Sequence, residues 1–250
     1  MNGCNGKMGQ VITRLVHGYE DMSIIAGITR NPSKLQNTYP VYQSFKEVAV
    51  AKADVVLDFS NSEMLPEAIE YCVNNLTALV VGTTGLSEKN YEMLRQASAS
   101  IPVFVSSNMS IGISVLMNLA SKATSALGDE YDIEILEKHH NEKKDAPSGT
   151  ALMIANELKS QINNSIEFIY DRSKLKEKRK PNEIGISSIR GGTIPGEHTV
   201  IFAGKDEIIE ITHSALSRDI FGRGALRAAR YTVSKTKGFY NMKSMLAELI

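Results

Sequence analysis

Four apolar runs in the first 108 residues constrain the fold most. They are Ser23 to Ile28 (SIIAGI), Asp54 to Ser60 (DVVLDFS), Ala78 to Thr84 (ALVVGTT) and Pro102 to Asn108 (PVFVSSN). Each is rich in β-branched residues and does not alternate with polar ones, the pattern of parallel strands covered on both faces. Between them, SEMLPEAIEYCVNN and SEKNYEMLRQASAS carry apolar residues at helical spacing. Strand, helix, strand in this rhythm predicts a doubly wound, Rossmann-like α/β sheet.

After Asn108 the texture changes. A long helical pattern, SIGISVLMNLASKATSALG, leads to the strand YDIEILEKH, and SIEFIY, EIGISSIR, EHTVIFAG and DEIIEITHSA follow with turn residues between them. Successive strands without intervening helices predict a second, α+β domain with a mixed sheet. The helical tail FGRGALRAARYTVSK is expected to return to the first domain. The predicted division is a first domain over 1–108 plus 221–250 and a second over 109–220.

Composition excludes several classes. Of 250 residues 42% are hydrophobic, enough for one or two cored domains, and the formal net charge of zero points to neither nucleic acid nor an anionic membrane. No window reaches the apolar length of a membrane span, and MNGCNGKMGQ lacks the basic and apolar regions of a signal peptide. Two cysteines, Cys4 and Cys72, are too few for a disulfide framework or a cysteine-rich zinc site, so a reducing, cytoplasmic home and no metal are expected.

GCNGKMG sets Gly3, Gly6 and Gly9 three residues apart before the helical QVITRLVHGYE. A turn that brings backbone amides to a pyrophosphate needs residues without Cβ, and the following helix N-terminus adds partial positive charge. At the end of the next strand an NAD-specific protein usually offers an acid to the ribose; here Thr29 and Arg30 stand there, with Lys34 nearby. Arginine pairs instead with a 2′-phosphate, so NADPH is expected over NADH, with NADH use possible. Only Met1 and Asn2 precede Gly3, where such a loop should follow a buried strand. The first strand is therefore expected to be truncated, with several further apolar residues upstream in the natural chain.

The stretch EKHHNEKKDAPSGTA, Glu137 to Ala151, contains two of the chain's five histidines, His139 and His140, and is followed by a helix start. Pro147 stops any earlier helix, Ser148 is a good N-cap, and GTALMIANELK has helical periodicity. Amides near Gly149 and Thr150 form an anion site, with Lys143 just upstream. Three readings compete: zinc binding, which lacks further ligands; a packed histidine beside a solvated loop; and acid–base chemistry on a carboxylate-bearing substrate. His17, His198 and His213 are read as structural. The basic RSKLKEKRKPNE, Arg172 to Glu183, is either a solvated loop or a lid over an anionic ligand.

HHNEKKDAPSGTA, with GCNGKMG, VGTTG at Val81 to Gly85, SSNMSIG from Ser106 and RGGTIPGEHTV from Arg190, resembles the 4-hydroxy-tetrahydrodipicolinate (dihydrodipicolinate) reductase family over nearly the whole chain. The resemblance implies hydride transfer from NADPH or NADH to a cyclic imine dicarboxylate with loss of water, in the diaminopimelate–lysine pathway. It implies that His139 and Lys143 are catalytic and that His140, Gly149 and Thr150 contact substrate. The cofactor contacts it implies are Gly3, Cys4, Asn5, Gly6, Lys7, Met8, Arg30, Gly82, Thr83, Thr84, Ser106, Ser107, Asn108 and Met109. Many relatives have an acid where Thr29 stands, and several have Phe at Met109. The resemblance further implies that 1–108 plus 221–250 is a dinucleotide-binding domain and that 109–220 is a substrate-binding and oligomerisation domain, whose sheet builds a homotetramer. The rivals are another two-domain NADPH oxidoreductase, such as an aspartate-semialdehyde dehydrogenase, whose thiolate neither cysteine is placed to supply, and a non-catalytic NADPH-binding module.

Overall fold

The computed structural model describes residues 1–32, 37–48, 52–162 and 165–248; Lys34 lies outside them. In chain order the elements begin α1 Lys7–Val16, β1 Gly27–Ile28, β2 Val41–Tyr42, β3 Val55–Asp58, α2 Leu65–Asn75, β4 Ala78–Val81, α3 Glu88–Ala97, β5 Pro102–Val105 and α4 Ile111–Leu127. They continue β6 Asp132–His139, α5 Gly149–Lys159, β7 Glu167–Ile169, β8 Glu183–Arg190, β9 Gly196–Ala203, β10 Ile208–Ala215, α6 Asp219–Val233, β11 Gly238–Tyr240 and α7 Met242–Ala247. The chain divides into two compact units, Met1–Ile111 with Arg218–Ile250, and Gly112–Ser217. The divisions fall a few residues from the 108/109 and 220/221 breaks read from sequence.

The first unit is a parallel sheet in the order β11-β5-β4-β3, with the short pair β1-β2 beside it. Apolar side chains cover both faces. Val56, Leu79, Val81 and Val103 pack with α2 and α3, while Leu57, Val80 and Phe104 pack with α1 and α6. This two-sided burial is why these strands do not alternate.

The expected strand over 23–28 shrinks to Gly27–Ile28. A strand exists only where a neighbour completes its ladder; among the described residues the link between β1 and β3 is short, with Asn2 pairing in parallel with Ile28 and Asp58 and the Ile28 amide donating to the Met1 carbonyl at 2.8 Å. Below that bridge lies a cavity of about 410 Å³, lined by Ile24, Ile25, Val55 and Leu226 among others.

The second unit is a five-stranded mixed sheet, β10-β9-β6-β8-β7, with β6 parallel to β8 and antiparallel to β9. Its inner face, including Ile133, Ile135, Ile184, Val200 and Phe202, packs on Leu116 and Ala120 of α4 and on Ile154 and Leu158 of α5. Strand β6 buries every second residue, so Glu137 and His139 point inward with Ile133 and Ile135. Among the described residues no helix is long and apolar enough to cross a membrane.

Candidate active site

In the first unit the glycine loop is fixed by contacts that exclude Cβ atoms. Gly3 has φ +77°, and a Cβ there would strike the Phe59 carbonyl at the end of β3. A Cβ on Gly9 would strike the carbonyls of Gly3 and Cys4. The amides of Gly3 and Cys4 donate to the Ile28 carbonyl at 2.9 and 3.3 Å, which holds the loop to β1. Helix α1 has Gly6 as N-cap, with no side chain to cap it. Its first-turn amides at Lys7 and Met8 therefore suit an anion such as pyrophosphate. The backbone here fits a dinucleotide.

The other expected cofactor residues gather at the carboxyl ends of β4 and β5, where open α/β sheets bind ligands. Gly82 donates to the Asp58 carbonyl at 2.8 Å, and Ser106 donates to that of Val81 at 3.0 Å. Thr83 is buried and Thr84 exposed. The Ser106 hydroxyl donates to the Asn108 carbonyl at 2.7 Å, and Ser107 is exposed. Asn5 accepts from Asn37 at 2.9 Å and donates to the Asn31 carbonyl at 3.1 Å.

Besides Thr83, two more side chains in the expected cofactor set are buried. Cys4 is fully buried, and Met109 packs in the core with Ile12 and Phe104. Cys4 Sγ packs closely on Gly27, and the Met109 carbonyl packs closely on Gly224 of α6. Arg30 is exposed and ion-paired with Glu63.

In the second unit one expected residue, His139, meets a buried carboxylate that the sequence reading leaves unassigned. Glu137 is fully buried. Arg190 of β8 donates to both its oxygens, at 2.8 and 2.7 Å. His139 Nδ1 lies 2.5 Å from Oε2, and the Ser148 amide donates to Oε1 at 3.1 Å. Despite burial, these donors, Arg190 foremost, hold its pKa down at about 2. Burial pushes His139 below the usual imidazole range, although Glu137 opposes that shift.

Ser148 caps α5, its hydroxyl accepting from the Ala151 amide at 3.1 Å. The same hydroxyl lies 3.0 Å from His198 Nε2. His198 is buried edge-on against His139, with centroids 5.1 Å apart, and burial lowers its pKa to about 4. His198 is thus structural, as read from sequence, but it packs directly on an expected site residue. His17, by contrast, is an exposed C-cap of α1 rather than a packed side chain, because the amphipathic helix turns that position outward.

Lys143 reaches Asp145 at 2.8 Å and lowers that carboxyl's pKa. Its amide donates to the His140 carbonyl at 3.2 Å, so the turn brings His140 and Lys143 together. An added Cβ on Gly149, at the start of α5, would meet nothing within 4 Å. The helix therefore opens its positive end onto free space. Thr150 follows in the same turn. The basic stretch is tied down: Arg172 pairs with Glu183 at 2.8 Å and Arg179 with Asp132 at 2.7 Å. Those arginines neutralise carboxylates of their own sheet. Among the described residues no cluster of three or more His, Cys, Asp or Glu is arranged to hold a metal.

A glycine-loop parallel sheet, and a separate mixed sheet with a cationic helix start, define a two-domain oxidoreductase of the nicotinamide-dependent class. Residues 1–109 match the family described as dihydrodipicolinate reductase, N-terminus, and residues 112–246 match dihydrodipicolinate reductase, C-terminus. The chain belongs to the dihydrodipicolinate reductase family. The 4-hydroxy-tetrahydrodipicolinate reductase of Caldanaerobacter subterraneus subsp. tengcongensis is 47% identical over 98% of this chain and 96% of its own length. That of Staphylococcus carnosus is 46% identical over 96% of each. A dipicolinate-bound dihydrodipicolinate reductase from Paenisporosarcina sp. TG-14 shares the fold, with TM-score 0.79 at 24% identity over 96% of this chain and 95% of that one.

Proposed function

We propose that this chain reduces 4-hydroxy-tetrahydrodipicolinate to tetrahydrodipicolinate with loss of water, in lysine and diaminopimelate biosynthesis, and prefers NADPH to NADH. The observation that supports the site assignment is Glu137, which ties His139 to the N-cap of α5 at Ser148, while the Lys143 amide closes a turn onto the His140 carbonyl in the segment between them. A nicotinamide, when held by the glycine loop, would supply the hydride for the ring. Lys143, His140 and the amides at Gly149 and Thr150 bind the two carboxylates and orient that ring. Orientation alone is worth several kcal/mol of barrier, roughly 7–11 at the ideal limit. Lys143 delivers the proton that accompanies hydride transfer, and His139 assists. A fixed cation also stabilises the negative charge that develops on the ring.

The backbone of Gly3 to Met8 would hold the pyrophosphate, with Gly82 to Thr84 and Ser106 to Met109 lining the rest of the dinucleotide site. Arg30 supports the NADPH preference, since a 2′-phosphate can displace its exposed partner Glu63. A reducing cytoplasm suits the two free cysteines. Assembly as a homotetramer through the outer face of the second unit's sheet is supported by Ile189 and Ile208. Both are exposed on the side opposite α5, and a solution mass decides the point.

The test is consumption of NADPH, and separately NADH, with freshly generated substrate. Turnover is expected with both, at a lower apparent KM for NADPH. Lys143→Ala is expected to lose at least about 100-fold in kcat, in the range of general acid catalysis, and His139→Ala less. No oxidation at saturating substrate sinks the activity, and unchanged kcat in both variants removes these residues from the mechanism.

A further inference from the structure

We propose that Glu137 is a positioning residue that fixes the tautomer of His139, so that Nδ1 carries the proton and Nε2 is left as the acceptor. The inference deepens the functional reading above, because it assigns a cause to the state in which His139 works.

Glu137 Oε2 faces His139 Nδ1 and one nitrogen of Arg190, and Oε1 faces the Ser148 amide and the other nitrogen. Arginine and a backbone amide only donate, so both oxygens must accept from them. A carboxylate held ionised in this way can only accept from the imidazole too, which places the proton on Nδ1. Nε2 then has no hydrogen-bond partner among the described residues. It lies against Gly196, where an added Cβ would come within 3.1 Å. Register supports the same set: Arg190 pairs with His139 across β8 and β6, and His198 pairs with Glu137 across β9 and β6. Packed on His139, His198 holds the ring's plane.

The arrangement makes an unusual forecast for Glu137→Gln. Arg190 faces both ends of the new amide alike, and the Ser188 hydroxyl beside it can donate or accept, so neither chooses an orientation. The Ser148 amide does choose. It can only donate, so the glutamine oxygen must face it and the NH2 group must face His139. His139 Nδ1 is then forced to accept, and its proton moves to Nε2. The substitution therefore reverses the tautomer while keeping the shape of the side chain.

Nitrogen-15 NMR of histidine-labelled protein, read beside initial rates, tests this. The wild type is expected to show His139 protonated at Nδ1 and Glu137→Gln to show it protonated at Nε2. In that variant kcat should fall at least about tenfold, with KM for the dinucleotide unchanged, because the glycine loop is untouched. Glu137→Asp, which accepts as the native residue does, should return the Nδ1 form and part of the rate. A wild-type spectrum with the proton on Nε2 overturns the proposal even if neither variant folds. A folded Glu137→Gln with native tautomer and rate overturns it as well. Absence of reductase activity in the wild type, with the tautomers as forecast, would instead count against the reaction.

Discussion

Burial keeps His198 neutral, and that has a consequence in acid. Its pKa stands at about 4 in the folded protein, against an ordinary value of 6.5. The unfolded chain therefore binds a proton first, and stability is lost as pH falls from about 6.5 towards 4, by about 3 kcal/mol in all. Glu137 adds a second loss lower down. Its pKa is depressed from 4.5 to about 2, so the stability it contributes is present above about 4.5 and disappears as pH falls through about 2. Urea unfolding between about pH 7 and pH 4 should show the first slope, and His198→Gln should flatten it. An equal slope in the variant would mean that other groups carry the acid sensitivity. The same residue shows the limit of local reading: the sequence marks His198 as structural, but not that Ser148, fifty positions away, lies at its Nε2.

At the scale of elements, two glycines that look alike in sequence behave differently. A Cβ on Gly224 of α6 would collide with the Met109 carbonyl, whereas one on Gly149 of α5 would meet open space. Gly224→Ala should therefore destabilise by about 3 kcal/mol, since the helix must move off the end of β5. Gly149→Ala should leave stability equal or slightly higher while crowding the proposed anion site. Thermal melts of the pair check this, and similar midpoints would refute the packing argument. Strands β3, β4 and β5 are legible because two-sided burial writes itself as unbroken apolar runs. The short strands β2 and β11 are not, since a two- or three-residue strand carries no period. The length of β1 was missed for a different reason, as it depends on a neighbour rather than on its own residues. Glu137 had a usable signal: with His139 it follows Ile133 and Ile135 at period two, which sends a carboxylate into a core. Its partner Arg190 had none, because that meeting is set by the β6–β8 register.

For the whole molecule, the residues expected to contact cofactor and those expected to contact substrate fall in different units. The unit of Met1–Ile111 with Arg218–Ile250 contains the glycine loop and the strand ends, and Gly112–Ser217 contains the histidines, Lys143 and α5. The helical tail rejoins the first unit because the hydrophobic stripe of α6 fits beside α1, with Ala225, Leu226 and Ala229 packed on Ile12 and Leu15. The match of residues 112–246 to a C-terminal family description thus spans both the second unit and this return. What the account asks of the molecule is that a doubly acidic ring be held by the second unit alone, through fixed charges and a helix start. Crystals soaked with pyridine-2,6-dicarboxylate test that most directly. The account predicts its carboxylates on Lys143, His140 and the amides at Gly149 and Thr150. Ordered density for the compound elsewhere, with that site vacant, would contradict it.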